Sequence, residues 1–234
     1  MLAEGLPGKS QRGVGPRRYC RGVTDTHGIV IAGRLLPINE CIDKLRRYPP
    51  RTLCRYDLPG PGDPNSLTRD EIVRTRAVSS RISDVEANWF LERSRDAPWP
   101  SPEADDLRYA DPATAGGPYD ELVGLYNHFS ERVPRAIATA KISKVLHVKR
   151  PAAYPILDKR IMSIYREAAT TAARRYPQRA YRRANWVAIR DDLIANTESG
   201  ALKVVRDALE GAFEHSEKLA AVTDLRLLDM LTWR

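Results

Sequence analysis

A chain of 234 residues, 42% hydrophobic and 29% charged, is long enough to close one sizeable core, which excludes a disulfide-stapled miniprotein. The longest apolar run, residues 28–36, contains Arg34, so no segment approaches the ~18 uninterrupted apolar residues of a bilayer helix. A formal net charge of +8 favours polyanionic partners.

Residues 1–25 are rich in Gly and Arg without periodicity and predict a loose basic leader. They carry no hydrophobic stretch followed by a small-residue cleavage site, so export is not expected. The GLPGKS stretch has Ala3 where a phosphate loop needs glycine and no strand before it, so no nucleotide site is expected there. Residues 28–36 suit a short strand and residues 38–48 a helix, closed by Pro49-Pro50. Residues 58–64 read as a turn-rich linker. Thr68-x-x-Glu71 and Ser83-x-x-Glu86 are capping boxes that open two successive helices.

Residues 96–118 hold five prolines and five acids and predict a long surface excursion. Helical spacing then covers residues 119–129, 134–147, 158–176, 185–196, 200–213 and 224–233, with a loop at 149–155 forced by Pro151 and Pro155. The fold class expected is all-α, a single helical domain of about eight helices over residues 26–234, with no repeat and no strand ladder. Cys20, Cys41 and Cys54 are an odd number at separations that match neither a disulfide frame nor a C-x-x-C pair, which places the chain in a reducing cytoplasm.

Charge is unevenly distributed. Residues 1–60 carry a net +6, 61–140 a net −5, 141–186 a net +10 and 187–234 a net −3. Within the basic block, Lys149, Arg150, Lys159, Arg160, Arg174, Arg175, Arg179, Arg182 and Arg183 alternate with Tyr154, Tyr165, Tyr176, Tyr181 and Trp186. Cations interleaved with aromatics suit phosphate neutralisation and base stacking, and the partner expected is nucleic acid, as duplex DNA. The competing reading is a solvated helix face whose arginine stems cover apolar surface.

The stretch from Lys141 to Ile161, KISKVLHVKRPAAYPILDKRI, puts Lys141 and Lys144 on one helix, then a basic proline-bounded loop, then Asp158 at a helix start. It resembles the corresponding region of the helix-hairpin-helix DNA glycosylase superfamily, most strongly over residues 141–165 and more weakly over 66–140. The resemblance implies a base taken out of the stack into a pocket between helical lobes. Asp158 would steady the sugar cation, and Lys141 or Lys144 would be a possible nucleophile. The superfamily's glycine-rich hairpin turn is absent, because the equivalent FSERVPRAIATAKI contains no glycine. Together with the terminal DLRLLDMLTW, the same stretch also looks like a family of actinobacterial proteins that supplies no activity.

Each of these residues has a plainer role. Asp158 suits an N-cap, the lysines a solvated face, and His147 a helix C-terminus. His27, His128, His147 and His215 are scattered and pair with no cysteine or carboxylate at ligand spacing, so neither a metal nor a cofactor is expected. The functional expectation is therefore a DNA-associated, glycosylase-like protein, with a non-catalytic nucleic-acid-binding or protein-interaction module as the alternative.

Overall fold

The computed structural model describes residues 28–179 and 181–233, the side chains of Tyr181 and Arg182 apart. The leader expected over residues 1–25, Cys20, His27 and the side chain of Arg182 lie outside them. The described chain is mostly helical, and the one departure comes first. Strands β1 (Gly28–Ile31) and β2 (Arg34–Pro37) pair antiparallel from Gly28↔Pro37 to Ile31↔Arg34. Residues 28–36 are thus a hairpin and the expectation of no strand pairing is corrected. The reason is Ala32-Gly33, whose φ values of 51° and 79° make a two-residue turn that glycine adopts freely at its second position.

Helix α1 (Ile38–Arg46) follows, and Pro49 ends it as expected. Pro50, however, also starts α2 (Pro50–Thr52), because a first helical residue needs no N–H. That helix runs straight into a π-helical turn, Leu53–Asp57. Helices α3 (Arg69–Arg74), continued by a 3-10 turn at Thr75–Val78, and α4 (Asp84–Ser94) both open with complete capping boxes. Thr68 and Ser83 accept from the amides of Glu71 and Glu86, whose carboxylates accept from the cap amides at 2.8 and 2.7 Å.

The acidic segment at 96–118 is not a loose excursion. It contains two 3-10 turns, Pro102–Ala104 and Leu107–Tyr109, and Ala104, Leu107 and Ala110 are fully buried. Three apolar residues at a spacing of three reach the core while Pro102, Glu103 and Asp105 between them face out, which the composition concealed. The Leu107 amide also donates to the Ala152 carbonyl at 3.0 Å, tying the segment to the loop at residues 150–158.

Helix α5 (Pro118–Ser130) and helix α6 (Thr139–Lys149) form the next pair. Their connection lacks glycine, and Arg132 takes the left-handed conformation, φ 51°, that a glycine would take without strain. Residues 134–138 turn instead of starting the helix expected there. Helices α7 (Lys159–Ile164) and α8 (Arg166–Arg175) were expected as one; the chain breaks at Tyr165, whose ring is fully buried. Helices α9 (Tyr181–Glu198), α10 (Ala201–Leu209), α11 (Ser216–Ala220) and α12 (Asp224–Thr232) complete the described chain. Asn196 of α9 holds the outer edge of β1, donating to the Val30 carbonyl at 2.7 Å and accepting from its amide at 2.8 Å. A side chain thereby substitutes for a third strand.

A large continuous core joins these elements. Near its middle, Trp186 meets Tyr126 and Tyr154 edge-on, each with ring centroids 5.5 Å away. The two fully buried tyrosines beside it satisfy their hydroxyls on backbone: Tyr119 donates to the Arg183 carbonyl and Tyr154 to the Leu122 carbonyl, both at 2.9 Å. Packing of the 96–118 segment is testable. Leu107→Ala should lower stability by about 2–5 kcal/mol in urea unfolding, and replacing residues 102–110 with a Gly-Ser linker should abolish a cooperative transition. A surface excursion would leave both measurements unchanged.

Candidate functional site

Helix α6 carries both candidate lysines, and most of it is enclosed. Every residue from Ile142 to Lys149 is buried. A charged group in that position needs a partner, since an unpaired buried ion is far too costly to keep. Lys149 donates to the Pro61 carbonyl at 2.5 Å, the Asp63 carbonyl at 2.7 Å and Glu71 Oε1 at 2.5 Å. Lys141, eight residues earlier, donates to Glu86 Oε1 at 2.5 Å. Each capping-box glutamate therefore uses one oxygen for its own helix and the other for a lysine of α6. Although burial raises the Glu86 carboxyl pKa, the bonds from Lys141 and Ser83 outweigh it and hold the group below its ordinary range.

Lys144 donates to the Val78 carbonyl at 2.7 Å. Burial lowers its ammonium pKa, against the pull of the Asp158 and Asp229 carboxylates nearby. Asp158 caps α7, its Oδ1 accepting from the amides of Arg160 and Ile161, both at 2.9 Å. Ser143 brings the two regions together by accepting from the Leu157 amide at 3.0 Å. Lys144 and Asp158 are thus neighbours, whereas Lys141 is committed to Glu86. The cavity beside Asp158, lined by Pro155, Ile161, Tyr165, Asp229 and Thr232 among others, measures about 10 Å³. That is room for roughly one water and far too little for a base.

The basic block divides in the same way. Arg150 and Arg183 are buried alongside Lys149. Arg150 reaches Asp105 and, at 2.7 Å, the Pro100 carbonyl, so it anchors the acidic segment from inside. Arg183 donates to Asn127 Oδ1 at 2.5 Å and lies over the Tyr126 ring at 4.0 Å. Arg179 pairs with Asp120 and covers Tyr119, and Arg175 pairs with Asp191. Lys159, Arg160 and Arg174 are exposed, with Arg160 Nε donating to the Thr232 carbonyl at 3.1 Å. Of the aromatics read as stacking platforms, Tyr154, Tyr165 and Trp186 are core residues and Tyr176 is half-buried against Arg175, while the side chain of Tyr181 lies outside the described residues. The alternation of cations and rings that suggested base stacking is here a helical core with arginines folded over it.

A second buried assembly was read only as a core-closing helix. Arg226 of α12 donates to Asp57 Oδ1 and to the Tyr48 hydroxyl, both at 2.7 Å, and to Asp229. Tyr48 in turn donates to Asp57 Oδ2 at 2.7 Å. Burial pushes the Asp229 carboxyl up to about 6, against the opposing pull of Arg226. His147 stacks on Tyr56 beside this assembly, and its Nδ1 bonds the Tyr154 carbonyl at 2.8 Å, which fixes the proton on Nδ1. Burial drives the His147 pKa down to about 3.

Sequence reasoning missed a large open cleft. A cleft of about 600 Å³ lies where α2 and the π-helical turn meet the end of α3 and its 3-10 extension. Arg51, Thr52, Arg55, Asp70, Val73, Arg74, Arg76 and Ala77 line it. Arg74 is held by the carbonyls of Gly60 at 2.9 Å and Val148 at 3.4 Å, and Arg76 by the Ile82 carbonyl at 2.8 Å and Asp84 at 2.9 Å. Arg51 and Arg55 are exposed and make no ion pair among the described residues. The one available signal was the four-residue spacing of Arg51 and Arg55, hidden between Pro49-Pro50 and the linker. Neither this cleft nor those of about 380 and 260 Å³ elsewhere is lined by Asp158, Lys141 or Lys144.

Residues 44–234 match the model of a family of unknown function, DUF6308. The chain belongs to that family. No curated protein and no solved structure matches it. The DUF6308 match takes in the arginine cleft, α6 and the Arg226 assembly, and leaves the hairpin outside. No described helix is long and apolar enough to cross a membrane, and no three His, Cys, Asp or Glu among the described residues cluster as metal ligands would.

Two measurements follow from these placements. Lys149→Met should destabilise the protein by about 3–5 kcal/mol in denaturant unfolding, because it strands the Glu71 carboxylate and two carbonyls, whereas Lys159→Ala and Arg174→Ala should stay within about 0.5 kcal/mol of wild type. The second concerns pH. With a folded-state pKa near 3, His147 stays neutral while the unfolded chain takes up a proton below its ordinary 6.5, so this contribution is full above 6.5 and is lost as pH falls toward 3. The slope is about 1.4 kcal/mol per pH unit. Asp229 works in the opposite sense below about 6, so comparison with His147→Gln isolates the histidine: the variant should show a flatter acid limb in unfolding free energy.

Proposed function

We propose that this protein is a nucleic-acid-binding module built on a helical scaffold, without base-excision chemistry. The cleft lined by Arg51, Arg55, Arg74 and Arg76 carries the reading, because it is nucleotide-sized and net positive, and Arg51 and Arg55 in it make no ion pair among the described residues. Arginine forks bind phosphate oxygens bidentately, and a cleft that already positions two of them on backbone carbonyls and a carboxylate needs little reorganisation to accept an anion. The excision reading asks Asp158 and a lysine to face a base-sized pocket. Asp158 is instead engaged as a cap, Lys141 with Glu86 and Lys144 with Val78, and the cavity beside Asp158 is water-sized. Lys149, Arg150, Arg179 and Arg183 of the basic block support the core and the acidic segment, so we assign the interaction surface to residues 51–77 in preference to 149–183.

Binding of fluorescently labelled oligonucleotides, single-stranded and duplex, tests this directly. Affinity should fall with salt on a log–log slope of about −0.7 to −0.9 per phosphate neutralised. The double substitution Arg51→Glu with Arg55→Glu should weaken binding by on the order of tenfold or more, while Arg174→Glu should change it little. Salt-insensitive binding, or equal loss in both variants, would overturn the assignment.

A further inference from the structure

The dimensions of the arginine cleft restrict what it can hold. Its cations come from two short segments, Arg51 and Arg55 on one side and Arg74 and Arg76 on the other, with Asp70 the single acid between them. A duplex presents a phosphate every 3.4 Å along each strand and asks for a continuous strip of cations. Here the charge is concentrated in one place, four arginines and one aspartate along the lining, with the Asp84 carboxylate beside Arg76 at its edge. Arg69 and Arg76 both pair with Asp84 at 2.9 Å, and Asp63 carries hydrogen bonds from Asn65 and Ser66. Such an arrangement matches one or two phosphates.

A phosphomonoester is the better match of the two kinds of phosphate in a strand. It carries about −1.5 to −2 near neutrality, against −1 for a diester, and offers three terminal oxygens to arginine forks. The cleft has donors in reserve for it: Arg51 and Arg55 are exposed and make no ion pair among the described residues. An inorganic phosphate would occupy only a small part of the roughly 600 Å³. The remaining lining is apolar or weakly polar, from Val73, Ala77 and Thr52, and suits the flat face of a nucleoside.

The backbone supporting the free pair is fixed from behind. A π-helical turn is an uncommon conformation that concentrates at functional sites. This one carries Arg55 toward the cleft while its next two residues are fastened on the other side, Tyr56 donating to the Lys144 carbonyl at 2.9 Å and Asp57 accepting from Arg226 at 2.7 Å. Thr52 joins the two walls through a 3.4 Å bond to the Ala77 carbonyl.

We propose that the cleft between residues 51–55 and 70–77 recognises a nucleoside phosphomonoester, and that its source is the phosphorylated end of a nucleic-acid strand. The proposal rests on the nucleic-acid reading above and narrows it to strand ends. The test compares one short single strand bearing a 5′-phosphate, a 3′-phosphate or hydroxyls at both ends, with adenosine monophosphate, adenosine and inorganic phosphate as competitors, on wild type, Arg55→Glu and Arg174→Glu. Thermal melts of both variants verify that each is folded. One phosphorylated end should bind on the order of tenfold more tightly than the hydroxyl strand, adenosine monophosphate should compete where adenosine and inorganic phosphate do not, and Arg55→Glu alone should erase these differences. Equal affinity for all three strands overturns the end-recognition proposal and leaves nucleic-acid binding standing. Binding of the monophosphate but of no strand, lost in Arg55→Glu, overturns the strand as source and assigns the site to free nucleotides. Binding of none of these probes overturns both readings.

Discussion

Helix α6 is buried along its whole length from Ile142 to Lys149, and yet it bears Lys144 and Lys149 within that span and Lys141 just before it. A buried ammonium must be both paired and hydrogen-bonded, and this requirement organises the N-terminal half of the molecule around one helix. Glu71 and Glu86 meet it with the oxygen their capping boxes leave over, so the starts of α3 and α4 are located by lysines eight residues apart on α6. The Val78 carbonyl meets it for Lys144 and so places the 3-10 extension of α3. Residues that local rules assign to helix ends thereby become the tertiary contacts that set helix positions.

The arginine cleft is a consequence of the same constraint. Its second wall, residues 70–77, is the segment that Lys149 and Lys144 hold between Glu71 and Val78. Its first wall is the π-helical turn, held through Tyr56 on α6 and through Asp57 on Arg226 of α12. Arg226 is fully enclosed with two carboxylates, two phenolic rings and one hydroxyl around it, so it joins the C-terminal helix to residues 48–57. The cleft's walls are thus pinned from the interior, and its free charges project from a backbone with little freedom to yield.

Cations in a basic sequence can serve a partner or the fold, and linear spacing does not distinguish the two. Lys149, Arg150, Arg179 and Arg183 were the centre of the basic block, and all four are spent on Glu71, on the acidic segment or on the Trp186 aromatic cluster. Four ion pairs, Lys141–Glu86, Lys149–Glu71, Arg150–Asp105 and Arg179–Asp120, join the net +10 of residues 141–186 to the net −5 of residues 61–140, so part of that positive charge answers acids of the chain itself.

The local signals in the sequence were sufficient wherever the deciding forces were local. Both capping boxes, the stop at Pro49, the helices around Tyr119–Phe129, Trp186 and Leu225–Leu231, and the N-cap role open to Asp158 follow from residue type and spacing, because cap bonds and helical periodicity act over three or four residues. The break at Tyr165, the buried 3-10 turns of residues 102–109 and the gathering of Arg51, Arg55, Arg74 and Arg76 depended on contacts between segments far apart in the chain. Whether a lysine faces water or a buried carboxylate 55 or 78 residues away is a property of the assembled core, and only the tertiary structure could decide it.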